Sequence, residues 1–440
     1  EQAKKGVKVI VFPELCLTGY TCGDLFLQDS LLESAYQSLL TLVKKTEKLD
    51  ILCLVGLPIM KNGKLYNTAA VFIDGEILGF VPKRHIPNYS EYYEARYFCR
   101  GNEEPEYFHL PETEEEVLFG TNLLFCCDNY PDLVVASEIC EDLWTSIPPS
   151  SYHAMAGATV IANLSASDEL TGKDRYRKEL VSTQSARLVS GYIYSDAGEG
   201  ESTQDLVFAG HNLIGENGAI LVSSKRFCNQ AVVAELDLLK IRNERRRMNT
   251  YSLYKEHERE DYYNVEFSYK KIEHTNLTRH IVKNPFVPDR KEEREKRCDE
   301  IFKIQAYGLK KRLSHTKSQY ALIGLSGGLD STLALLVVVK AFELLELPKE
   351  NIIAVTMPCF GTTDRTYQNA LSLAESLSVT LREVNIEKAV IQHFEDIGQD
   401  RNNQDVTFEN SQARERTQIL MDMANRYNGL VIGTGDMSEL

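Results

Sequence analysis

The sequence predicts an α/β protein with more than one layered domain, the C-terminal one built on a doubly wound parallel sheet. Three observations carry that reading. Beyond residue 288, short apolar runs at 321–325, 351–357 and 379–384 alternate with helical stretches, the pattern of strands joined by crossover helices. Before residue 250, apolar runs at 7–12, 67–73, 76–81, 133–139 and 158–161 give way to polar residues, and two of them flank Asp74-Gly75, a strong two-residue hairpin signal. Finally, 440 residues that are 43% hydrophobic and 26% charged suffice for two or three separate cores.

The balance of 49 Lys and Arg against 64 Asp and Glu, a formal charge of −15, argues against a nucleic-acid surface. The basic run 242–247 (RNERRR) reads as a solvated helix face. No apolar run approaches the ~20 residues of a membrane span. Ten cysteines show neither a C-x-x-C pair nor a Cys/His spacing for zinc. A chain with its own cores needs no disulfides, so a reducing cytoplasm is expected. Glu1 to Gly6 reads as the end of a helix and Met437 to Leu440 follows a strand directly, so the sequence is expected to be cut at both ends.

Within the first 250 residues, the runs 7–12, 76–81 and 133–139 are followed within two residues by Glu14, Lys83 and Cys140. A rigid sheet aims strand-end side chains at one edge, where chemistry gathers. Each residue alone is commonplace: a cap, a surface lysine, a buried thiol. All three at strand ends make a working set. Glu14 can take a thiol proton, Lys83 can hold a thiolate and a developing oxyanion, and Cys140 can attack an amide carbon. The backbone N–H of Glu141 can complete an oxyanion site. Residues 163–167 read as a strand-end loop, and 208–222 as a hairpin around Glu216-Asn217-Gly218, with His211 in a structural role.

Three segments, Val11-Phe-Pro-Glu-Leu-Cys-Leu-Thr-Gly-Tyr20, Pro82-Lys-Arg-His-Ile-Pro-Asn-Tyr89 and Ser137-Glu-Ile-Cys-Glu-Asp-Leu-Trp144, resemble the signature segments of the nitrilase superfamily, in the right order. The resemblance covers most of residues 1–250. It implies a four-layer α-β-β-α sandwich whose usual first strand and helix precede residue 1. It also implies Glu14 as general base, Lys83 as oxyanion stabiliser and Cys140 as nucleophile. In the glutaminase branch, the glutamine-holding positions fall on Tyr89, Ser167 and Lys173. Glu94 is a candidate second acid that orients Lys83.

Residues 251–287 are charged and lack a sustained period, so they are expected to form an interdomain linker, preceded by a short helix at 238–248. A helix at 289–313 opens the second domain, residues 288–440. The strand at 321–325 then leads through Ser326-Gly327-Gly328 into a helix beginning near Ser331. Glycine lets the backbone approach a ligand closely, and the helix points its free N–H groups into the turn, an anion site. A carboxylate there, Asp330, is repulsive to phosphate unless a divalent cation lies between them. The pattern lacks the lysine of a P-loop. A strand at 351–357 follows, then a helix capped by Thr362 or Thr363 and running to residue 377, then a strand at 379–384.

Ser326-Gly-Gly-Leu-Asp-Ser331 resembles the S-G-G-x-D-S loop of the N-type ATP pyrophosphatases, which split ATP between its α and β phosphates. The segments Asp405-Val-Thr-Phe-Glu-Asn-Ser-Gln-Ala-Arg414 and Gly433-Thr-Gly-Asp-Met-Ser-Glu439 resemble loops of the NAD synthetases within that group. This resemblance implies ATP contacts at Gly324, Leu325, Ser326, Gly327, Gly328, Leu329, Asp330, Ser331 and Thr434. It implies deamido-NAD contacts at Asn410 and Glu439, and Mg²⁺ held by Asp330 and Glu439. Arg414 has no local feature that separates a phosphate clamp from a solvated helix residue.

Together the halves resemble the glutamine-dependent NAD synthetases. The resemblance implies that glutamine, ATP and deamido-NAD are the substrates and that the protein forms homo-oligomers. A protected route for ammonia is chemically sensible, since free ammonia at neutral pH is mostly ammonium. Two alternatives stay open: another amidotransferase of the same loop class, and a plain amidase whose C-terminal domain binds nucleotide as a regulator.

Overall fold

The computed structural model describes every residue except 112, 202–204, 252–260, 271, 273, 361–363 and 436–440. The chain divides into two compact units, Glu1–Ile281 and Val282–Leu440. Among the described residues no helix is long and apolar enough to cross a membrane.

The first unit runs β1 (Val9–Val11), α1 (Asp29–Lys45), β2 (Leu52–Lys61), β3 (Lys64–Ile73), β4 (Glu76–Pro82), β5 (Glu106–His109), β6 (Glu116–Phe119), β7 (Leu123–Cys127) and β8 (Val134–Ile139). It continues through α2 (Pro149–Ala156), β9 (Val160–Ser165), α3 (Lys173–Leu188), β10 (Gly191–Asp196), β11 (Leu213–Glu216), β12 (Ala219–Ser223), α4 (Leu238–Arg247) and β13 (Tyr263–Phe267). Two sheets result, a six-stranded one in the order β1-β2-β3-β4-β6-β5 and a seven-stranded one in the order β12-β11-β10-β9-β8-β7-β13.

Strand alternation sorts the side chains into layers. Leu52, Leu54, Ala69 and Val71 meet Leu123, Phe125, Val135 and Val160 in a core between the sheets. The intervening Cys53, Val55, Ala70 and Phe72 pack outwards on Tyr36, Leu39 and Val43 of α1. On the far side, Ala136, Ile161 and Tyr192 cover Ala154 of α2 and Val181 and Leu188 of α3. The order of layers is α-β-β-α, the sandwich expected.

Both hairpin signals act as read. Asp74 and Gly75 take φ of +47° and +89°, and Asn217 and Gly218 take +45° and +88°, the paired left-handed conformation of a tight hairpin turn. Three expectations need correction. The 163–167 segment is not all loop, because β9 extends to Ser165. The basic run is not wholly a solvated face. Arg242 pairs with Asp132, and Arg245 donates to the carbonyls of Val189, Ala158 and Leu188 at 2.7–3.1 Å, satisfying acceptors at the ends of neighbouring elements. The stretch 251–287 is not simply a linker. Its β13 pairs parallel with β7, and Phe267 and Tyr269 join the core between the sheets. A short five-residue strand flanked by charged residues offers too little period to be seen locally.

The second unit runs α5 (Lys291–Thr316), β14 (Ala321–Gly324), α6 (Leu329–Leu345), β15 (Ile352–Thr356), α7 (Asp364–Ser376), β16 (Thr380–Glu383), α8 (Glu387–Ile397), α9 (Val406–Tyr427) and β17 (Leu430–Ile432). All strand pairs are parallel, in the order β16-β15-β14-β17. Leu313, Leu335, Phe342 and Ala374 cover one face of the sheet. Val390, Phe394, Phe408 and Ala424 cover the other. The sheet is doubly wound, and its order reverses between β14 and β17. The helix after the glycine loop begins at Leu329 rather than Ser331, so Asp330 and Ser331 both lie in its first turn. The expected caps Thr362 and Thr363 lie outside the described residues.

Candidate active site

Glu14, Lys83 and Cys140 follow β1, β4 and β8, an edge strand and an interior strand of one sheet and an interior strand of the other. Glu14 and Lys83 are fully buried, and Cys140 is 6% exposed. Lys83 Nζ donates to Glu14 Oε1 at 2.7 Å and to Glu94 Oε1 at 2.6 Å. Glu14 also accepts from Asn67 Nδ2 at 2.6 Å and from the Ala166 N–H at 2.9 Å, so its carboxylate is held on three sides. Tyr20 donates to Glu94 at 2.8 Å. Glu94 therefore shares the Lys83 ammonium with Glu14.

Cys140 adopts a φ of +42°, which costs a residue with a Cβ roughly 1–2 kcal/mol. It opens a single 3₁₀ turn, Cys140–Trp144, so the N–H of Glu141 lies in a first turn, where donors have no partner within the helix. Asp142 holds this turn against the loop after β4. It accepts from the N–H of Ile139 and of His85, each at 2.9 Å, and the His85 ring nitrogen Nδ1 lies 2.8 Å away.

Burial holds the Cys140 thiol well above its ordinary range, and the charge of Glu14 adds to this; Lys83 pulls the other way. The resting sulfur is a thiol that needs a base. For Lys83, burial opposes the charge, but Glu14 and Glu94 outweigh it and hold the ammonium well above the usual lysine range. Burial pushes Glu94 up against the pull of Lys83. A buried acid, a buried cation and a thiol under the field of both can pass a proton and stabilise an oxyanion.

Of the three residues expected to hold glutamine, Tyr89 and Lys173 reach the turn that Cys140 opens, while the hydrogen bonds of Ser167 go to Arg177 and Asp196. Tyr89 is exposed, and its hydroxyl donates to both oxygens of Glu141 at 3.0 Å. Lys173 pairs with Asp168, donates to Tyr92 at 3.3 Å and sits 5.3 Å from the Trp144 ring centre. Ser167 is buried. Its hydroxyl accepts from Arg177 Nη2 at 3.3 Å and its N–H donates to Asp196 at 2.9 Å. His211 bonds Arg177 and Ser223 at 3.0 and 3.1 Å; burial and the Arg177 charge push it down to about 4, so it is a neutral structural histidine. Sequence reasoning passed over Asn67, Tyr20, Tyr92, Asp168 and Ser165. Tyr20, Asn67 and Ser165 lie in segments that the sequence marks, at 11–20, 67–73 and 163–167, whereas Tyr92 and Asp168 owe their place to each other across 76 positions of chain.

In the second unit, the glycine loop leaves the carboxyl end of β14, and Thr434 lies just beyond β17. These two strand ends flank the point where the strand order reverses, the usual ligand crevice of an open α/β sheet. Gly327 has φ of +78°, and a Cβ there would lie 2.0 Å from the Thr366 carbonyl oxygen on α7. Ser326 and Ser331 hydroxyls are 3.0 Å apart, and the Gly328 N–H donates to Ser326 Oγ at 3.2 Å. Leu329 and Asp330 are exposed, Gly328 is half-buried, and Gly324 and Leu325 lead in from the core. Asn410 and Arg414 are exposed one turn apart on α9.

Glu439 lies outside the described residues. Among the described residues no group of three or more His, Cys, Asp or Glu is placed to hold a metal ion. The exposed carboxylate of Asp330, beside an anion-binding turn, fits a hard cation shared with phosphate oxygens.

Residues 1–246 match the carbon-nitrogen hydrolase family and residues 301–440 match the NAD synthase family. Fold and site thus define a carbon-nitrogen hydrolase unit followed by an NAD synthase unit. Over 99% of this chain, the glutamine-dependent NAD(+) synthetase of Mycobacterium tuberculosis is 40% identical, and that of Thermotoga maritima is 31% identical. The chain belongs to the family of glutamine-dependent NAD(+) synthetases. It spans 65% of the length of the mycobacterial relative and 69% of the Thermotoga one. A solved structure of the Acinetobacter baumannii glutamine-dependent NAD+ synthetase with ADP is 26% identical, covering 100% of this chain and 70% of its own, with a TM-score of 0.44.

Proposed function

We propose that the protein amidates deamido-NAD to NAD, using glutamine as nitrogen donor and ATP as activator. Glu14 takes the Cys140 thiol proton, and the thiolate adds to the glutamine amide carbon. Lys83 and the Glu141 N–H hold the oxyanion as the C–N bond breaks. Ammonia leaves with the proton from Glu14, and water then hydrolyses the thioester, releasing glutamate and restoring the thiol. Tyr89, Ser167 and Lys173 hold the substrate glutamine.

In the second unit the loop Gly324–Ser331 and Thr434 cradle ATP, and Asn410 and Glu439 contact deamido-NAD. The nicotinate carboxylate attacks the α-phosphorus, pyrophosphate leaves, and ammonia then displaces AMP. Asp330 and Glu439 would hold Mg²⁺, which when bound neutralises pyrophosphate charge. The setting is cytoplasmic and the assembly a homo-oligomer.

The observation that carries this reading is the presence, in one chain, of the buried Glu14–Lys83 pair at the Cys140 thiol and the Gly327 loop at a strand-order reversal. Cys140→Ala tests it. The variant makes no NAD from glutamine yet still makes it from ammonium chloride, more so as pH rises and free ammonia increases. Glutamine-supported synthesis in that variant removes Cys140 from the reaction. A plain amidase forms no ATP-dependent product with either nitrogen source.

A further inference from the structure

Arg177, on α3, carries a full charge with no exposed surface. A guanidinium donates and never accepts, so each of its hydrogen bonds has an assigned direction. Nη2 donates to the Ser167 hydroxyl at 3.3 Å and to the Asp168 carbonyl at 3.2 Å. Nη1 donates to Glu169 Oε2 at 3.2 Å and to His211 Nδ1 at 3.0 Å. His211 Nδ1 is therefore the bare nitrogen, and Nε2 carries the proton towards Ser223 Oγ at 3.1 Å. Three of these four acceptors belong to consecutive residues, 167–169. The same stretch is held from other sides as well: Asp196 accepts from the Ser167 N–H at 2.9 Å, and the Glu169 N–H donates to the Val207 carbonyl at 2.7 Å.

We infer that Arg177 is a positioning residue for glutamine: its planar fork fixes residues 167–169 and, through them, the groups that meet the substrate. The inference rests on the reading of Ser167 and Lys173 as glutamine-holding residues. Ser167 is gripped directly. Lys173 is held through Asp168, which pairs with it and also accepts from the Tyr92 hydroxyl at 2.6 Å. Ala166, one residue before the gripped stretch, donates to Glu14 Oε2 at 2.9 Å. Arg177 itself, fully buried, acts only through these neighbours. Replacing a buried ion pair by apolar side chains often leaves stability unchanged, so stability does not by itself call for a charge at this position; the geometry of the fork does. A lysine there keeps the charge but has one nitrogen, which cannot serve the acceptors of 167–169 from two directions.

The test is steady-state glutamine hydrolysis in the full chain, with NAD synthesis from ammonium chloride measured beside it. Arg177→Lys should raise the glutamine KM by about tenfold while kcat changes by less than about threefold, the signature of lost substrate binding. Ammonia-supported synthesis should keep its wild-type rate. Ser167→Ala should raise KM too, and Arg177→Lys should add little in that background, because members of one network do not act independently. An unmoved KM in Arg177→Lys, or two effects that multiply in full in the double variant, overturns the inference; a packing role would lower thermal stability and leave KM alone. Where Arg177→Lys does not fold, Glu169→Gln, which keeps an acceptor without its charge, decides instead: its KM should rise by about threefold, and an unmoved KM overturns the inference equally. Failure of the underlying reading looks different, since Ser167→Ala and Lys173→Ala would then both leave the glutamine KM at its wild-type value, and the inference falls with it.

Discussion

Lys83 is fully buried and keeps its charge because two carboxylates share the ammonium. Removing either carboxylate leaves a buried charge under-compensated, the costly way to break such a pair. Glu138 is the opposite case, a buried acid that forms no ion pair among the described residues. It sits two residues before Cys140 on β8, accepting from the Tyr192 hydroxyl and from the Ser150 N–H. Burial pushes it up to about 7, against about 4.3 for an unfolded glutamate. The folded chain therefore binds this proton more tightly than the unfolded chain does. Its contribution to stability is full below the unfolded value and is lost as pH rises through about 7. Urea midpoints measured at about pH 5 and about pH 8 should fall further in wild type than in Glu138→Gln. Equal slopes would mean that Glu138 is ionised in the folded chain.

Elements place these residues. The tight hairpin at Asp74-Gly75 was plain in the sequence because its signal is local. The ten-residue strand β2 was not, because a strand buried on both faces reads as continuous apolar sequence without alternation. In the second unit the turn between β14 and α6 was legible from its glycines, and the structure adds why Gly327 must be glycine: α7 leaves no room for a Cβ. Gly327→Ala should displace the loop and abolish AMP formation from ATP while glutamine hydrolysis survives, with strain of about 1 kcal/mol or more in the second unit. Assaying both activities on one preparation checks this. Undiminished AMP formation would remove the loop from the nucleotide site.

For the whole molecule, the charged stretch after residue 250 turns out to close the first unit. β13 lies along the edge of β7, and the Tyr269 hydroxyl donates to the Lys8 carbonyl at 2.6 Å across 261 positions of sequence. Burying aromatic residues such as Phe267 and Tyr269 contributes roughly 1.5–3 kcal/mol each. A chain ending at residue 250 should therefore melt well below one ending at residue 281, and be prone to associate through the exposed edge of β7. Thermal melts and light scattering on the two truncations decide it, with equal melting temperatures counting against a structural role for β13.

The sequence by itself determined what depends on neighbours a few residues apart: the alternation of strands and helices, the tight turns, the glycine loop, and Glu14, Lys83 and Cys140 as strand-end residues. Tertiary structure alone decided what depends on strands meeting from afar. Ala166 reaches Glu14 across 152 positions, and Tyr92 reaches Asp168 across 76. Ser165, at the end of β9, reaches the Glu14 N–H with its carbonyl at 3.4 Å. Period and turn chemistry are properties of short windows, whereas the pairing of distant strands is chosen by burial summed over a whole core, which no short window contains.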